Sequence, residues 1–382
     1  MTDAYAEFFD LEDVLYLNHA AVAPWPKRAS AAVQRFAGEN ARYGATHYLR
    51  WLAVERRLKQ ALAALINASP DDVALVKNTS EGLSLVAYGL DWRTGDNIIT
   101  SDQEFPSNRI VWESLSQFGV ALREVDLSDG ASPEQALLDR IDERTRLLTI
   151  SSVEYASGLR LDMETLGRGC RERGVLFCID AIQSLGALQF DVEKVQADFV
   201  IADGHKWLLG PEGLGLFYCR PERREQLGVL QYGWHMVDPL GDYDSREWRV
   251  ASTARRFECG SPNMVGIHAL EASVGLLLEV GMDKVETALL NNISYLMALV
   301  KEHPRLELLT DDTDGRYGGI VNFRPQDIDS LALSKLHRAL MERRVICASR
   351  GGGIRFSPHF YTPKDVLERA LNIVDECLIT LE

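Results

Sequence analysis

The stretch IADGHKWLLGPEGLG, Ile201–Gly215, sets one lysine between a histidine and a glycine-proline loop, directly after an apolar, strand-like run. Lys206 there admits three readings: a solvated turn residue, part of a phosphate loop, or a lysine that makes a covalent bond. The order GHKWLLGPEG is not the G-x-x-x-x-G-K-[ST] of a nucleotide P-loop, and no G-x-G-x-x-G follows an early strand. Nucleotide and dinucleotide binding are therefore poorly supported. An isolated lysine after a strand is ordinarily solvated. A Schiff base with an aldehyde cofactor requires more around it, namely an acid, an aromatic and an anion seat.

On either side of this stretch, strand-like and helix-like segments alternate. DDVALVKN, DNIITS, VALREVDL, RTRLLTISSV, VLFCIDA, ADFVIAD and GLGLFYC read as strands. TSEGLSLVAYGL, SNRIVWESLSQFG and DMETLGRGCRERG read as helices. That alternation predicts an α/β fold, a mostly parallel sheet covered on both faces. The last third differs. Long helical stretches, MVGIHALEASVGLLLEVG and MDKVETALLNNISYLMALVKEHP, precede short strands and helices around DSLALSKLHRALMERR and PKDVLERALNIVDECLITLE. A smaller α+β domain is expected there. With the boundary near ECGSPN, residues 16–260 form the large domain, and residues 1–15 with 261–382 the small one.

The 382 residues carry 41 basic and 56 acidic side chains, a formal charge of −15. Nucleic acid is disfavoured as a partner, because duplex binding needs a basic face. The acidic N-terminus lacks the basic and apolar regions of a signal peptide, and no apolar run reaches membrane-spanning length. A cytoplasmic protein without a membrane partner is expected. The six cysteines form no C-x-x-C pair and fit reduced thiols better than disulfides or zinc; no metal is expected.

Ligands of open parallel sheets sit at the carboxyl ends of the strands. The polar residues at those ends are Asn78, Thr79 and Ser80; Glu104 beside Phe105; Glu154 and Tyr155; Asp180 and Gln183; and Asp203, His205 and Lys206. Thr79 and Ser80 open a helix, which makes either an anion site or an ordinary cap. Asp180 ends a strand apolar enough to be buried on both faces, so its carboxylate needs a partner. It could cap a helix, bind a metal or pair with a cationic ring nitrogen; no His or Cys lies at ligand spacing from it.

These motifs in this order resemble the class V aminotransferase family of fold-type-I pyridoxal phosphate enzymes. That group includes cysteine desulfurases, selenocysteine lyases and isopenicillin N epimerases. The resemblance runs from LYLNHAAVAPWP through VKNTSEGLSLVA, EFPSN, SSVEYASG, CIDAIQSLGA, ADGHKWLLGPEGLG and RFECGSPN to GGIRFSPHFYT. It implies a large domain with a mostly parallel seven-stranded sheet and a smaller C-terminal α+β domain. By the same resemblance Lys206 holds pyridoxal 5′-phosphate through a Schiff base, and Asp180 pairs with the ring nitrogen. Gln183 lies near the phenolic oxygen and His205 near the phosphate, which Thr79 and Ser80 seat. Phe105 stacks on the ring where many relatives have histidine. Arg355 clamps the substrate's α-carboxylate. Ser261 reaches the phosphate of a neighbouring subunit, which implies a homodimer with shared sites.

Three departures stand out. Tyr155 replaces a frequent asparagine, and Asp203 stands where desulfurases carry a phosphate-binding Ser or Thr. An acid there should turn away from the phosphate or pair with a cation. Group II desulfurases carry an R-x-G-H-H-C loop, whereas this chain has the shorter VICASRGGGIRFS, with Cys347 ahead of the loop. Cys347 reads as a small buried hydrophobe more readily than as a nucleophile. The expectation is a desulfurase-like C–S or C–Se lyase on a small amino acid, without the usual cysteine loop. Aminotransferase and epimerase are the alternatives within the family, and a non-catalytic cofactor-fold binding protein is the alternative outside it. The segment Gln231–Trp248 is expected to overhang the site or to pack an interface.

Overall fold

The computed structural model describes residues 6–8, 11, 13–128, 132–327 and 329–381. The larger sheet is built from β1 (Val73–Val76), β2 (Asn97–Ser101), β3 (Ala121–Val125), β4 (Thr145–Ser151), β5 (Leu176–Asp180), β6 (Phe199–Asp203) and β7 (Gly215–Cys219). Their order across the sheet is β1-β7-β6-β5-β4-β2-β3. Only β7 opposes its neighbours; the others share one direction. Strands β2, β5, β6 and β7 are buried at every residue, as helix-covered strands must be, which explains the apolar runs of β5, β6 and β7. Edge strand β3 instead exposes Arg123 and Glu124. Because six strands run the same way, Val76, Ser101, Ser151, Asp180 and Asp203 all end on one rim of the sheet.

The smaller sheet is antiparallel: β8 (Leu306–Leu308), β9 (Val321–Pro325), β10 (Ala348–Arg350) and β11 (Gly353–Phe356), in the order β8-β9-β11-β10. Gly351 and Gly352, with φ of 54° and 76°, form the whole turn between β10 and β11. Two consecutive left-handed residues suit a tight hairpin, and glycine adopts them without a Cβ clash. The N-terminal segment joins this sheet's side of the molecule. Leu15–Tyr16 pairs in parallel with Val345–Ile346, and Asn18 bridges to Ser357.

Helices α1 (Lys27–Tyr43) and α2 (Tyr48–Leu65) follow, and α3 (Thr79–Gly89) leaves β1. Helix α4 (Met264–Val280) packs on both α1 and α2, then bends by 85° into α5 (Met282–Glu302). No single described helix is long and apolar enough to cross a membrane. One apolar cluster runs from Leu17 through Leu270 to Phe356 and joins the two sheets. A division at residue 260 remains our proposed boundary.

Two local outcomes differ from the sequence reading. Helices α1 and α2 were not assigned from the sequence, although Trp51, Val54, Leu58, Leu62 and Leu65 bury one face of α2 at helical spacing. SNRIVWESLSQFG is one predicted helix but folds as Ser107–Glu113 followed by a 3-10 turn, Ser114–Phe118, ended by left-handed Gly119.

The rim depends on a close backbone approach. Gly186 has φ of 93°, and a Cβ there would lie 2.3 Å from the carbonyl oxygen of Trp207, next to Lys206. Gly186→Ala should therefore destabilise the protein by about 2–4 kcal/mol, combining left-handed strain with overpacking. Gly38, in α1 with nothing within 4 Å of its Cβ position, is the control. Gly38→Ala should stabilise by up to about 1 kcal/mol. Chemical denaturation of the two variants checks both signs.

Candidate active site

Lys206 follows β6 in a loop held at several points. The N–H of Gly204 donates to Leu214 (2.8 Å), that of Gly210 to Gly204 (2.8 Å) and that of Ala23 to the His205 carbonyl (2.8 Å). Trp207 is fully buried, and its indole N–H donates to Gln183 Oε1 at 2.8 Å. This anchoring directs the half-buried Lys206 side chain to the rim, where Nζ sits 5.7 Å from the centre of the Phe105 ring. No carboxylate of a described residue lies within ion-pair distance of Nζ. Burial lowers the Lys206 pKa to about 8, with the Asp180 charge opposing the shift.

Asp180 ends β5 and is buried, with Oδ1 accepting from the Ile182 N–H at 3.0 Å. Burial raises its pKa to about 6, while that hydrogen bond and Lys206 pull it down. Two further carboxyls are buried on the same rim. Glu104 accepts from the Ser151 N–H and from the Ser151 hydroxyl, both at 2.6 Å. Glu154 Oε1 accepts from the Ser101 hydroxyl at 2.8 Å, but Oε2 is buried without a partner. Desolvation pushes Glu104 up to about 8 and Glu154 well above the usual carboxylate range, their mutual repulsion adding to the latter.

The anion seat is the start of α3. Asn78 caps the helix by accepting from the Glu81 N–H at 2.9 Å, and Thr79 and Ser80 occupy the first turn. Glu81, the one acid there, is turned back: it accepts from the Lys77 N–H at 2.6 Å and pairs with Lys77 Nζ at 3.0 Å. Ser80 donates to Ser107 at 3.0 Å, whereas Thr79 Oγ1 is buried without a partner. A helix N-terminus with a spare buried hydroxyl suits a phosphate.

Asp203 turns to neighbours of its own loop. Its Oδ1 accepts from the Gly204 N–H at 2.8 Å and lies 3.1 Å from His205 Nδ1, close but outside hydrogen-bond alignment. The carboxylate is thus engaged by its own loop. Gln183 donates to the Ala20 carbonyl at 3.1 Å and accepts from Trp207, so one amide hydrogen is left for anything else. Phe105 is 42% exposed, and its ring meets that of half-buried Tyr155 edge to face at 5.2 Å.

Arg355 arrives from β11 of the smaller sheet. Nη1 donates to the Tyr155 carbonyl at 2.6 Å and Nη2 to Asn18 Oδ1 at 3.4 Å, while Nε is buried and unpartnered. A buried guanidinium with spare donors suits a carboxylate. Asn18, which helps hold it, was missed by residue-by-residue reading, as was His19; their only signal was the LNHA motif. Ser261 lies exposed in the loop before α4, apart from these contacts within one chain. Cys347 is buried, and desolvation pushes its thiol up to about 12.

The residues present fit the expected cofactor. A lysine without an ion pair, a buried acid and a helix start with an unpartnered hydroxyl share one rim of the larger sheet, and a buried arginine with spare donors arrives from the smaller one. The comparisons agree. The family model Aminotransferase class-V matches residues 15–358. A probable cysteine desulfurase of Methanothermobacter thermautotrophicus is 30% identical, aligned over 94% of this chain and 93% of its own length. The isopenicillin N epimerase of Streptomyces clavuligerus is also 30% identical, over 95% of this chain and 94% of its own. Among solved structures, the cystine C–S lyase C-DES with its product cysteine persulfide superposes with a TM-score of 0.88 at 23% identity, covering 96% of this chain and 98% of that one. An apo cysteine desulfurase from Thermococcus onnurineus NA1 gives 0.87 at 22%, covering 99% and 98%. The chain thus belongs to the class V aminotransferase family, enzymes that use pyridoxal phosphate.

Proposed function

We propose that this enzyme is a desulfurase-like lyase, cleaving the C–S or C–Se bond of a small amino acid without passing sulfur to a cysteine of its own. The observation that carries this reading is the turn at Gly351–Gly352. In the region that the family resemblance matches to a cysteine-bearing loop, β10 and β11 are joined by two glycines, and Cys347, ahead of β10, is buried as the thiol. A thiol held neutral is a poor nucleophile.

When bound, the cofactor supplies an electron sink for negative charge developing at the substrate's α-carbon. The rest falls to the chain. Arg355 would orient the substrate by its α-carboxylate through the donors left free, in a low-dielectric setting that strengthens the contact. Lys206, with a pKa near 8, has an appreciable neutral fraction around neutrality and can take the α-proton on Nζ. Asp180, with a pKa near 6, is ionised at pH 7 and would hold the ring nitrogen protonated. Thr79, Ser80 and the start of α3 would hold the phosphate. Phe105 carries no proton, so proton transfer on its side of the site cannot pass through the residue that is histidine in many relatives. We further propose a homodimer in which Ser261 reaches the phosphate seat of the other subunit.

Incubation with cysteine, cystine and cysteine sulfinate, with assays for pyruvate, alanine and sulfide, tests the reaction. Pyruvate with sulfide or persulfide is expected. Stoichiometric conversion of an added 2-oxo acid to an amino acid, or racemisation without sulfur release, would overturn the lyase reading. Lys206→Ala should abolish turnover and the borohydride-fixed cofactor adduct seen by mass spectrometry. Asp180→Asn should keep the adduct but lose roughly a hundredfold or more in kcat, the scale of removing one preorganised charge. Arg355→Lys should cost about 2 kcal/mol, roughly thirtyfold in kcat/KM, chiefly through KM.

The buried acids make stability depend on pH. The folded Glu104 pKa, about 8, exceeds its unfolded value near 4.5, so the native state binds the extra proton between them. Its contribution is full below about pH 4.5 and is lost as pH rises towards 8. Glu104→Gln mimics the protonated carboxyl, and the Ser151 hydroxyl can reverse to accept from the new amide. Urea midpoints of the apoprotein should fall from pH 5 to pH 8 in the parent and fall less in this variant. An equal fall in both would refute the assignment.

A further inference from the structure

Arg355 belongs to the smaller sheet, so its direction depends on what joins that sheet to the Lys206 rim. The join is the turn 154–159. Within it the Gly158 N–H donates to the Glu154 carbonyl at 3.0 Å, and the Glu154 N–H to the Leu159 carbonyl at 2.9 Å. Three consecutive carbonyls of this turn each accept from a side chain beyond residue 300. That of Tyr155 accepts from Arg355 Nη1 at 2.6 Å, that of Ala156 from Asn322 Nδ2 at 3.1 Å, and that of Ser157 from Thr310 Oγ1 at 2.7 Å.

Asn322, the middle donor, holds more than the turn. It lies on β9 directly across from Arg355 on β11. Residues paired across neighbouring strands present their side chains to the same face of a sheet. Its amide also donates to the carbonyl of Arg350, the last residue of β10, at 3.0 Å. Its backbone N–H donates to Thr310 Oγ1 at 2.8 Å, so the contact to Ser157 runs through the same strand position. Asn322 is 1% exposed, and a Cβ at Gly353 would lie 2.2 Å from its Oδ1. Two carbonyl acceptors at one end of the amide fix which end is nitrogen. Oδ1 at the other end is buried without a partner. An apolar side chain would fill the space without that cost, so the two donated hydrogen bonds are what the amide contributes.

The other contacts of the guanidinium are weak guides. Nη2 reaches Asn18 Oδ1 only at 3.4 Å, and Nε has no partner. The Tyr155 carbonyl therefore does most to aim Arg355, and Asn322 holds the peptide next to it. We propose that Asn322 is a positioning residue for Arg355, clamping the 155–157 turn against the β10–β11 hairpin so that the guanidinium meets the substrate's α-carboxylate. The inference rests on the reading of Arg355 as the carboxylate-binding group.

The test titrates the cofactor-loaded enzyme with L-alanine and with L-alaninamide, which keeps the amine but replaces the carboxylate by a neutral amide. Alanine has no sulfur to lose, so binding is read apart from elimination. The visible absorbance of the bound cofactor reports both dissociation constants. Arg355→Lys should weaken alanine binding roughly thirtyfold and alaninamide binding less than about threefold. Asn322→Ala should weaken alanine about tenfold, again with less than about threefold for alaninamide. The double variant should bind alanine no more than about threefold more weakly than Arg355→Lys, because both changes remove one contact. Asn322→Ser, which keeps one donor, should show a smaller loss of the same kind and decides the case if Asn322→Ala fails to hold the cofactor. No response of the parent to alanine, or no alanine-specific loss in Arg355→Lys, would overturn the reading of Arg355 and this inference with it. An alanine-specific loss in Arg355→Lys but in neither Asn322 variant would overturn the inference alone. So would full additivity in the double variant, or equal weakening of both probes in the Asn322 variants, since the asparagine would then support the fold and not the aim of Arg355.

Discussion

The burial of Trp207 ties together every part of the molecule that the site needs. Its indole N–H is held by Gln183, which follows β5, and its carbonyl lies 3.1 Å from His359 Nε2 beyond the smaller sheet. Its ring neighbours that of His19 from the N-terminal segment, at 6.3 Å, and a Cβ at Gly319 would lie 2.3 Å from the ring. The same carbonyl closes on the backbone of Gly186. A side chain this large buries about 150–250 Å² and cannot shift without reopening contacts in both layers. Lys206 is its immediate neighbour in the chain. The position of Nζ is therefore set by packing behind the rim rather than by any partner of its own.

Charge balance is the second determinant. Besides Asp203, three carboxyls, Asp180, Glu104 and Glu154, are buried on the rim, and Asp180 feels the charge of Lys206. Leaving all three ionised in a poorly solvated space would be expensive. The structure separates them by hydrogen bonding. Asp180 receives a backbone N–H and feels Lys206, so it stays the most acidic of the three. Glu154, with one oxygen unpartnered, keeps its proton most firmly. With both glutamates pushed towards the neutral form, Asp180 is the one of the three that is ionised at pH 7.

The sequence revealed some elements and hid others for identifiable reasons. Strands β5 and β6 were legible because each is an apolar run ended by an acid, LFCID and FVIAD. Helix α1 went unassigned although it is amphipathic, because its fully buried positions are the small Ala29 and Ala32 in a largely polar segment. Lys206, Asp180 and the Thr79–Ser80 helix start could be named because each needs a residue type at a strand end. Asn18 could not be singled out, since its contact with Arg355 joins positions 337 residues apart. The partner of Asp203 was open for a different reason: an acid beside a phosphate site can turn several ways, and only the local backbone decides which.

By itself the sequence determined the chemistry: a lysine, an acid, a hydroxyl-bearing helix start and an arginine, in an order that matches one family and one cofactor. That much follows because each role demands a particular functional group. Tertiary structure alone decided the proton states and the partners. Burial moves Lys206, Asp180 and the two glutamates away from their solution pKa values, and burial is a property of packing, not of order along the chain. It also decided that Gly351 and Gly352 alone join β10 to β11 in a tight hairpin.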